Sequence, residues 1–289
     1  MKAVFLKELK TYFKNPLGYV FIGMMLAIMG FYYVFYTIYY QYADYYHVLN
    51  ACSSLILFVV PVLTMRIMSE ERKNKTDQIL LTSPIHTWGI VLGKFFAALL
   101  VFSIVLAVSL LQPLVTVTVF KGEMTAGMTA GGYIAFFLLG CAFISIGMFI
   151  SSLTENQLIA AVVTIAVFTF LMLTEGVYSI VSTSRYVSLA VLLVVLAIVM
   201  FLVYHSIHEA VLTAIIGIVC AVATVVVFFI HPQGFDGLTG KILKSLSIFE
   251  RYADMFSGSF SFSHVIFFLS LTAFFLFLTY QVIERRRWN

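Results

Sequence analysis

The stretch Trp88–Phe120, WGIVLGKFFAALLVFSIVLAVSLLQPLVTVTVF, decides the fold. Its only charged residue is Lys94. A helix needs about 20 apolar residues to cross the bilayer core, so this run is long enough to span and too long for one straight span. Gln112-Pro113 is placed to kink it or end its regular part, because proline removes a helix hydrogen bond. Seven further runs pass the same length test: Leu17–Tyr40, His47–Met65, Tyr133–Leu153, Leu158–Glu175, Tyr186–Val203, Ala210–Ile230 and Val265–Val282. Eight spans are expected. Without the sixth and seventh, a pair joined by residues 205–209, six remain with the same parity.

The composition supports this reading. Of 289 residues, 62% are hydrophobic and only 10% charged, and the mean hydropathy is +1.04. Soluble domains carry about 45–50% apolar and about 25% charged residues, so the solvent for this chain is lipid. The fold class is all-α, a polytopic helical membrane protein of six to eight spans in one transmembrane domain over residues 1–289. Tyr39, Tyr40, Tyr42, Tyr45 and Tyr46 cluster at a span end, where rings sit at headgroup level. Cys52, Cys141 and Cys220 lie far apart in apolar runs and read as small core residues. The start is too charged for a cleavable signal peptide.

Placing both termini in the cytoplasm assigns twelve of the 17 Lys and Arg to the inner face and five (Lys121, Arg185, Lys241, Lys244, Arg251) to the outer, the bias of the positive-inside rule. The net charge of +4 thus reads as membrane-edge charge and not as a nucleic-acid surface. Two amphipathic stretches do not span. In residues 1–15, Phe5, Leu6, Leu9, Tyr12 and Phe13 form an apolar stripe and Lys7, Lys10 and Lys14 a basic face, an interfacial helix ended by Asn15-Pro16. In residues 234–262, Leu238, Ile242, Leu246, Phe249, Ala253 and Phe256 share a face at the outer surface.

Chemical motifs are scarce. Gly89-Ile-Val-Leu-Gly93-Lys94-Phe95 is one residue short of a P-loop and lacks its hydroxyl. Gly89 and Gly93 read as a packing face, and Lys94 as a lysine snorkelling to the inner surface. His205, His208 and Glu209 sit in a short turn and read as solvated rather than as metal ligands. No catalytic, metal or cofactor set is found. Glu155 and Glu175 lie near span ends, so no chain of ionisable groups crosses the bilayer, which argues against proton coupling.

The longest polar segment is 66–88, RIMSEERKNKTDQILLTSPIHTW. Glu70, Glu71, Arg72, Lys73 and Lys75 form a charged stretch. Thr76-Asp77-Gln78-Ile79-Leu80-Leu81 reads as a short helix that Thr76 can cap, and Ser83-Pro84 stops it. Two readings stand: a small helix that docks a soluble partner, or a plain solvated loop.

This segment resembles the ABC-2 permease family, in particular its gliding-motility-type members, through Ser69-Glu70-Glu71-Arg72, Thr76 to Ile85 and Leu92-Gly93-Lys94. Ile150-Ser151-Ser152-Leu153-Thr154-Glu155-Asn156-Gln157, the ending Glu284-Arg285-Arg286-Arg287-Trp288 and the opening Lys7-Glu8-Leu9-Lys10 support the resemblance. The family is usually six-spanning, so residues 175–264 depart from its pattern. The resemblance implies a type V exporter-like fold in a bacterial inner membrane. It implies an exporter permease with no ATPase site of its own, paired with a second permease chain and two copies of an ATP-binding subunit. An accessory membrane subunit could contact the extra hairpin. It assigns ATPase coupling to Glu70, Glu71, Arg72, Thr76, Asp77, Gln78, Leu80, Leu81, Ser83 and Pro84. It assigns an extracellular gate to Leu238, Ile242, Leu246, Phe249 and Phe256. The competing functions are a secondary transporter, a structural membrane anchor and, most remotely, an intramembrane enzyme. The substrate is not legible; the many Phe and Met hint only at a lipidic or peptidic load.

Overall fold

The computed structural model describes residues 1–76, 86–119, 125–180, 189, 247–255 and 262–288. The helices are α1 (Lys2–Lys14), α2 (Pro16–Tyr33) with a π-helical extension (Val34–Tyr39), α3 (Tyr46–Thr64), α4 (Ser69–Lys73), α5 (Thr87–Ser109), α6 (Leu111–Thr118), α7 (Ala126–Leu153), α8 (Gln157–Ile180), α9 (Ile248–Asp254) and α10 (Phe262–Trp288). No strand occurs among the described residues. Five helices are long and apolar enough to cross a membrane: Pro16–Tyr39, Tyr46–Lys73, Thr87–Thr118, Ala126–Leu153 and Phe262–Arg287. Gln157–Leu173 is a shorter apolar helix. Six of the eight expected runs are therefore helical; the sixth and seventh lie outside the described residues apart from Leu189. The chain forms two compact units, one of residues 1–170 with 251–289 and the other of residues 171–250.

In the larger unit α7 is the central element. Of its most apolar 18-residue window, 83% is buried, against 28% for α2. It packs against α3, α5 and α10. Helices can approach this closely where small residues replace bulky ones. Gly140 meets the ring of Phe102 from α5, and a Cβ at 140 would overlap that ring. Phe102 in turn stacks on Phe136, with centroids 5.8 Å apart, and Phe143 stacks on Phe168 of α8 at 4.4 Å. Cys52 and Cys141 are buried free thiols, as a core role requires. The peripheral helix α2 buries Phe21, Met25, Met29 and Tyr33, one residue in four, and leaves the other faces open.

The long third run breaks as its proline demands. α5 ends at Ser109, and α6 begins at Leu111 with Pro113 in its first turn. Pro113 has no N–H to offer the carbonyl four residues back, so the break falls one turn before the proline. The polar groups around the break are satisfied internally. Tyr45 Oη donates to Gln112 Oε1 at 2.6 Å, Tyr33 Oη and Thr116 Oγ1 lie 3.0 Å apart, and Ser109 Oγ meets Tyr133 Oη at 3.2 Å.

Three sequence expectations are corrected. Tyr45 does not face outward with the rest of the tyrosine cluster: it is 1% exposed, while Tyr39, Tyr40 and Tyr42 are exposed. Gln112 provides the hydrogen-bond partner that allows a tyrosine to be buried. In α9, Ala253 is exposed and the buried residues are Ile248, Phe249 and Tyr252, with Met255 buried just beyond its end. Tyr252 sets this phase, because its hydroxyl donates to the Leu49 carbonyl at 3.1 Å. Finally, α1 buries Val4, Glu8 and Tyr12. Phe5, Leu9 and Phe13 are half-buried, and Leu6, Lys7, Lys10 and Lys14 are exposed. The helix thus has three faces: one packed, one apolar and one basic.

The Gly140–Phe102 contact yields a test. Gly140→Val is expected to destabilise the protein by about 1–3 kcal/mol, the usual range for overpacking, read as a lower Tm of the purified chain in detergent.

Candidate coupling site

The charged motifs of five separate segments meet at one end of the larger unit. The centre is Lys94, about two turns into α5 and 1% exposed. A lysine cannot stay charged in such a place without partners. Its Nζ lies 2.9 Å from Glu8 Oε1 of α1, 2.9 Å from Glu71 Oε2 of α4 and 2.8 Å from the Ile67 carbonyl. An ammonium has three donors, and all three are used. Lys7 adds a second cation, 2.7 Å from Glu71 Oε1 and 3.9 Å from Glu8 Oε1. Two lysines and two glutamates cancel. The close approach of α1 to α5 depends on Gly93, whose Cβ would lie 3.0 Å from Val4 Cβ and 3.2 Å from the Met1 carbonyl oxygen. The packing role expected of Gly93 is thereby seen.

The expected snorkelling of Lys94 is corrected: it points into protein, because Glu8 and Glu71 offer it better partners than the interface would. Tyr12, one turn beyond Glu8, is also buried, and its hydroxyl donates to the Leu63 carbonyl at 3.3 Å. Burial, reinforced by the negative charges of Glu8 and Glu70, pushes that hydroxyl well above its ordinary pKa, so it stays a neutral donor.

Ser151 of α7 fixes the turn between α3 and α4. Its hydroxyl accepts from the N–H groups of Met68 and Ser69, both at 3.2 Å, and donates to the Met65 carbonyl at 3.1 Å. Helix starts leave N–H groups without intrahelical partners, and here a neighbouring helix supplies one oxygen for two of them. Arg72 of α4 reaches Glu155 Oε1 at 2.8 Å and donates to the Leu153 carbonyl at 2.9 Å. Arg66 donates to Gln157 Oε1 at 2.9 Å and lies 3.8 Å from Glu70. The α7–α8 turn is thus tied to both ends of the α3–α4 turn. Thr76 closes α4, its N–H bonding the Glu71 carbonyl at 2.9 Å and its hydroxyl the same oxygen at 3.3 Å.

On the far side of the polar segment, α10 provides the anchor. Thr87 Oγ1 donates to Glu284 Oε2 at 2.5 Å, and Trp88 stacks on Tyr280 with centroids 4.7 Å apart. Arg286 donates to the Ser152 carbonyl. Both flanks of residues 77–85 are therefore fastened to the ends of long apolar helices. A family model described as ABC-2 family transporter protein matches residues 8–183. The chain belongs to this family. The match begins at Glu8 and takes in Glu71, Lys94 and Ser151. No curated protein and no solved structure matches the chain.

Membership of the ABC-2 family makes the chain a multi-pass membrane protein with the membrane domain of an ABC transporter, a transport subunit. Such permeases normally work with an ATP-binding subunit. Of the coupling residues read from the sequence, Glu70, Glu71, Arg72 and Thr76 are placed at this site. Asp77, Gln78, Leu80, Leu81, Ser83 and Pro84 lie outside the described residues. Of the gate residues, Phe249 is described and buried, while Leu238, Ile242, Leu246 and Phe256 are not described. Sequence reasoning missed Glu8 and Lys94 as partners. The available signal was a lone acid and a lone base, each at a packing position of an apolar face.

The energetics of the cluster can be tested. Lys94→Met removes the buried counter-charge and leaves Glu8 and Glu71 with only the half-exposed Lys7, 3.9 Å and 2.7 Å away; it is expected to cost about 3–5 kcal/mol, as breaking a buried pair does. Lys7→Met removes a half-exposed ion pair, which is expected to cost less than about 1 kcal/mol. Adding Glu8→Gln and Glu71→Gln to Lys94→Met should recover much of the loss. Chemical denaturation of the three variants in detergent checks the order.

Proposed function

We propose that this ABC-2 permease is an exporter subunit of the gliding-motility type whose 66–88 segment receives the motion of a separate ATPase. Two permease chains would pair over two ATP-binding subunits in a bacterial inner membrane, with both termini cytoplasmic. The observation that carries the proposal is the fastening of both flanks of residues 77–85 to span ends: Glu71 and Arg72 on one side, Thr87 and Trp88 on the other. A partner pushing on the segment between them would move α1, α5, α7 and α10. Leu80 and Leu81 would be the apolar anchors in the ATPase groove. Glu71, engaged by Lys94 and Lys7, would act within the chain, which leaves Glu70 for the rim. Leu238, Ile242, Leu246, Phe249 and Phe256 would form the outer gate before the last span.

Interface anchors contribute about 2 kcal/mol or more each, and about 1.4 kcal/mol is tenfold in affinity. Replacing both Leu80 and Leu81 by Asp is therefore expected to weaken ATPase association by several orders of magnitude and to leave membrane insertion intact. Co-purification and ATPase activity in reconstituted membranes read the result. A double variant that keeps its ATPase and transports normally makes the segment a plain loop. The chain purified free of partners is expected to show no nucleotide binding at micromolar concentration. A reporter fused to Asn289 is expected to be active only on the cytoplasmic side.

A further inference from the structure

One charged residue sits on the wrong flank of α1. At 100° per residue, Lys7, Lys10 and Lys14 share the basic face, whereas Lys2 falls among Phe5, Leu9 and Phe13 on the apolar one. Beside it opens a groove of about 790 Å³ between α1 and α5, lined by Met1, Lys2, Phe5, Phe96, Leu99, Leu100 and Ser103. Apart from Lys2 and Ser103 the side chains that line it are apolar. Ser103 is no free donor, because its hydroxyl bonds the Leu99 carbonyl at 2.7 Å. Phe96, Leu99, Leu100 and Ser103 are spaced as one stripe of α5, which runs about 10 Å along the helix from Phe96 to Ser103 at 1.5 Å per residue. The groove thus has an exposed ammonium at one end and a hydrocarbon floor leading away from it into the membrane domain.

We infer that this groove seats one anionic phospholipid, its phosphate held by Lys2 and one acyl chain laid along Phe96, Leu99, Leu100 and Ser103. The charge complementarity selects the occupant. An extended protein segment would have to bury its backbone polar groups against an apolar floor, which is unfavourable at membrane depth. A zwitterionic lipid would fill the floor but set its own cation against Lys2. A volume of this size falls within the roughly 300–1,000 Å³ typical of small-molecule sites. The seat is independent of the ATPase reading, since it touches no residue of the 66–88 segment.

Native mass spectrometry of the full-length chain tests this, after purification with equal amounts of phosphatidylglycerol and phosphatidylcholine. One lysine near a charged lipid surface contributes about 1 kcal/mol, or about fivefold in occupancy. The wild type is expected to retain one phosphatidylglycerol in about fivefold preference. Lys2→Ala is expected to abolish the preference. Lys10→Ala, the same charge change on the basic face, is expected to leave it intact. Ser103→Phe fills the floor without changing charge and is expected to remove the bound lipid. Equal retention of the two lipids by the wild type would overturn the inference. So would an equal loss in Lys2→Ala and Lys10→Ala, which would mean bulk charge alone. A Ser103→Phe chain that keeps its lipid, or that changes only its monomer–dimer ratio, would also overturn it. Lys2 is exposed, so its variant folds whether or not Ser103→Phe does.

Discussion

Everything at the charged end of this permease depends on keeping Lys94 ionised in a place that water does not reach. An isolated ammonium there would be prohibitively costly. The helices around it are arranged to supply two carboxylates and one carbonyl. That requirement brings α1 down onto α5, and Gly93 removes the side chain that would hold them apart. It also places α4 so that Glu71 can reach in. Ser151 then holds the turn that permits this. The site is thus a consequence of one buried charge and the geometry needed to neutralise it.

The lipid-facing architecture was plain in the sequence, because length and apolarity alone set it. Each described apolar run is a helix, and Pro113 breaks the long one as its missing N–H requires. The phase of individual side chains was less legible. Tyr45 and Ala253 were misplaced because their surroundings are decided by Gln112 and by the Tyr252–Leu49 bond, which join residues far apart in the chain. Lys94 was the largest miss. A lysine near a span end normally reaches for water, and nothing local distinguishes one that does not. Glu8 is 86 positions away, and only the folded geometry pairs them. The motifs themselves were legible as separate pieces; their convergence on one end was not.

The satisfied network near Gln112 and the neutral cluster at Lys94 divide the labour between the two ends of the bundle. Near the helix break, hydroxyls and an amide close the polar groups without any charge. At the other end, charges do the same work. Glu71 bridges Lys94 and Lys7 through its two oxygens, so one carboxylate serves two cations at that end.

The Glu8–Lys94 contact also constrains how the chain is made. Glu8 emerges first, and its partner follows 86 residues later. At a synthesis rate of roughly 5–20 residues per second, the gap is about 4–17 s. During that interval α1 has no buried counter-charge and must wait at the membrane surface, where its lysines and aromatic flank hold it. When α5 enters the bilayer, α1 can dock and neutralise Lys94. α1 is thus made before α5 and can take its final place only once α5 is in the bilayer.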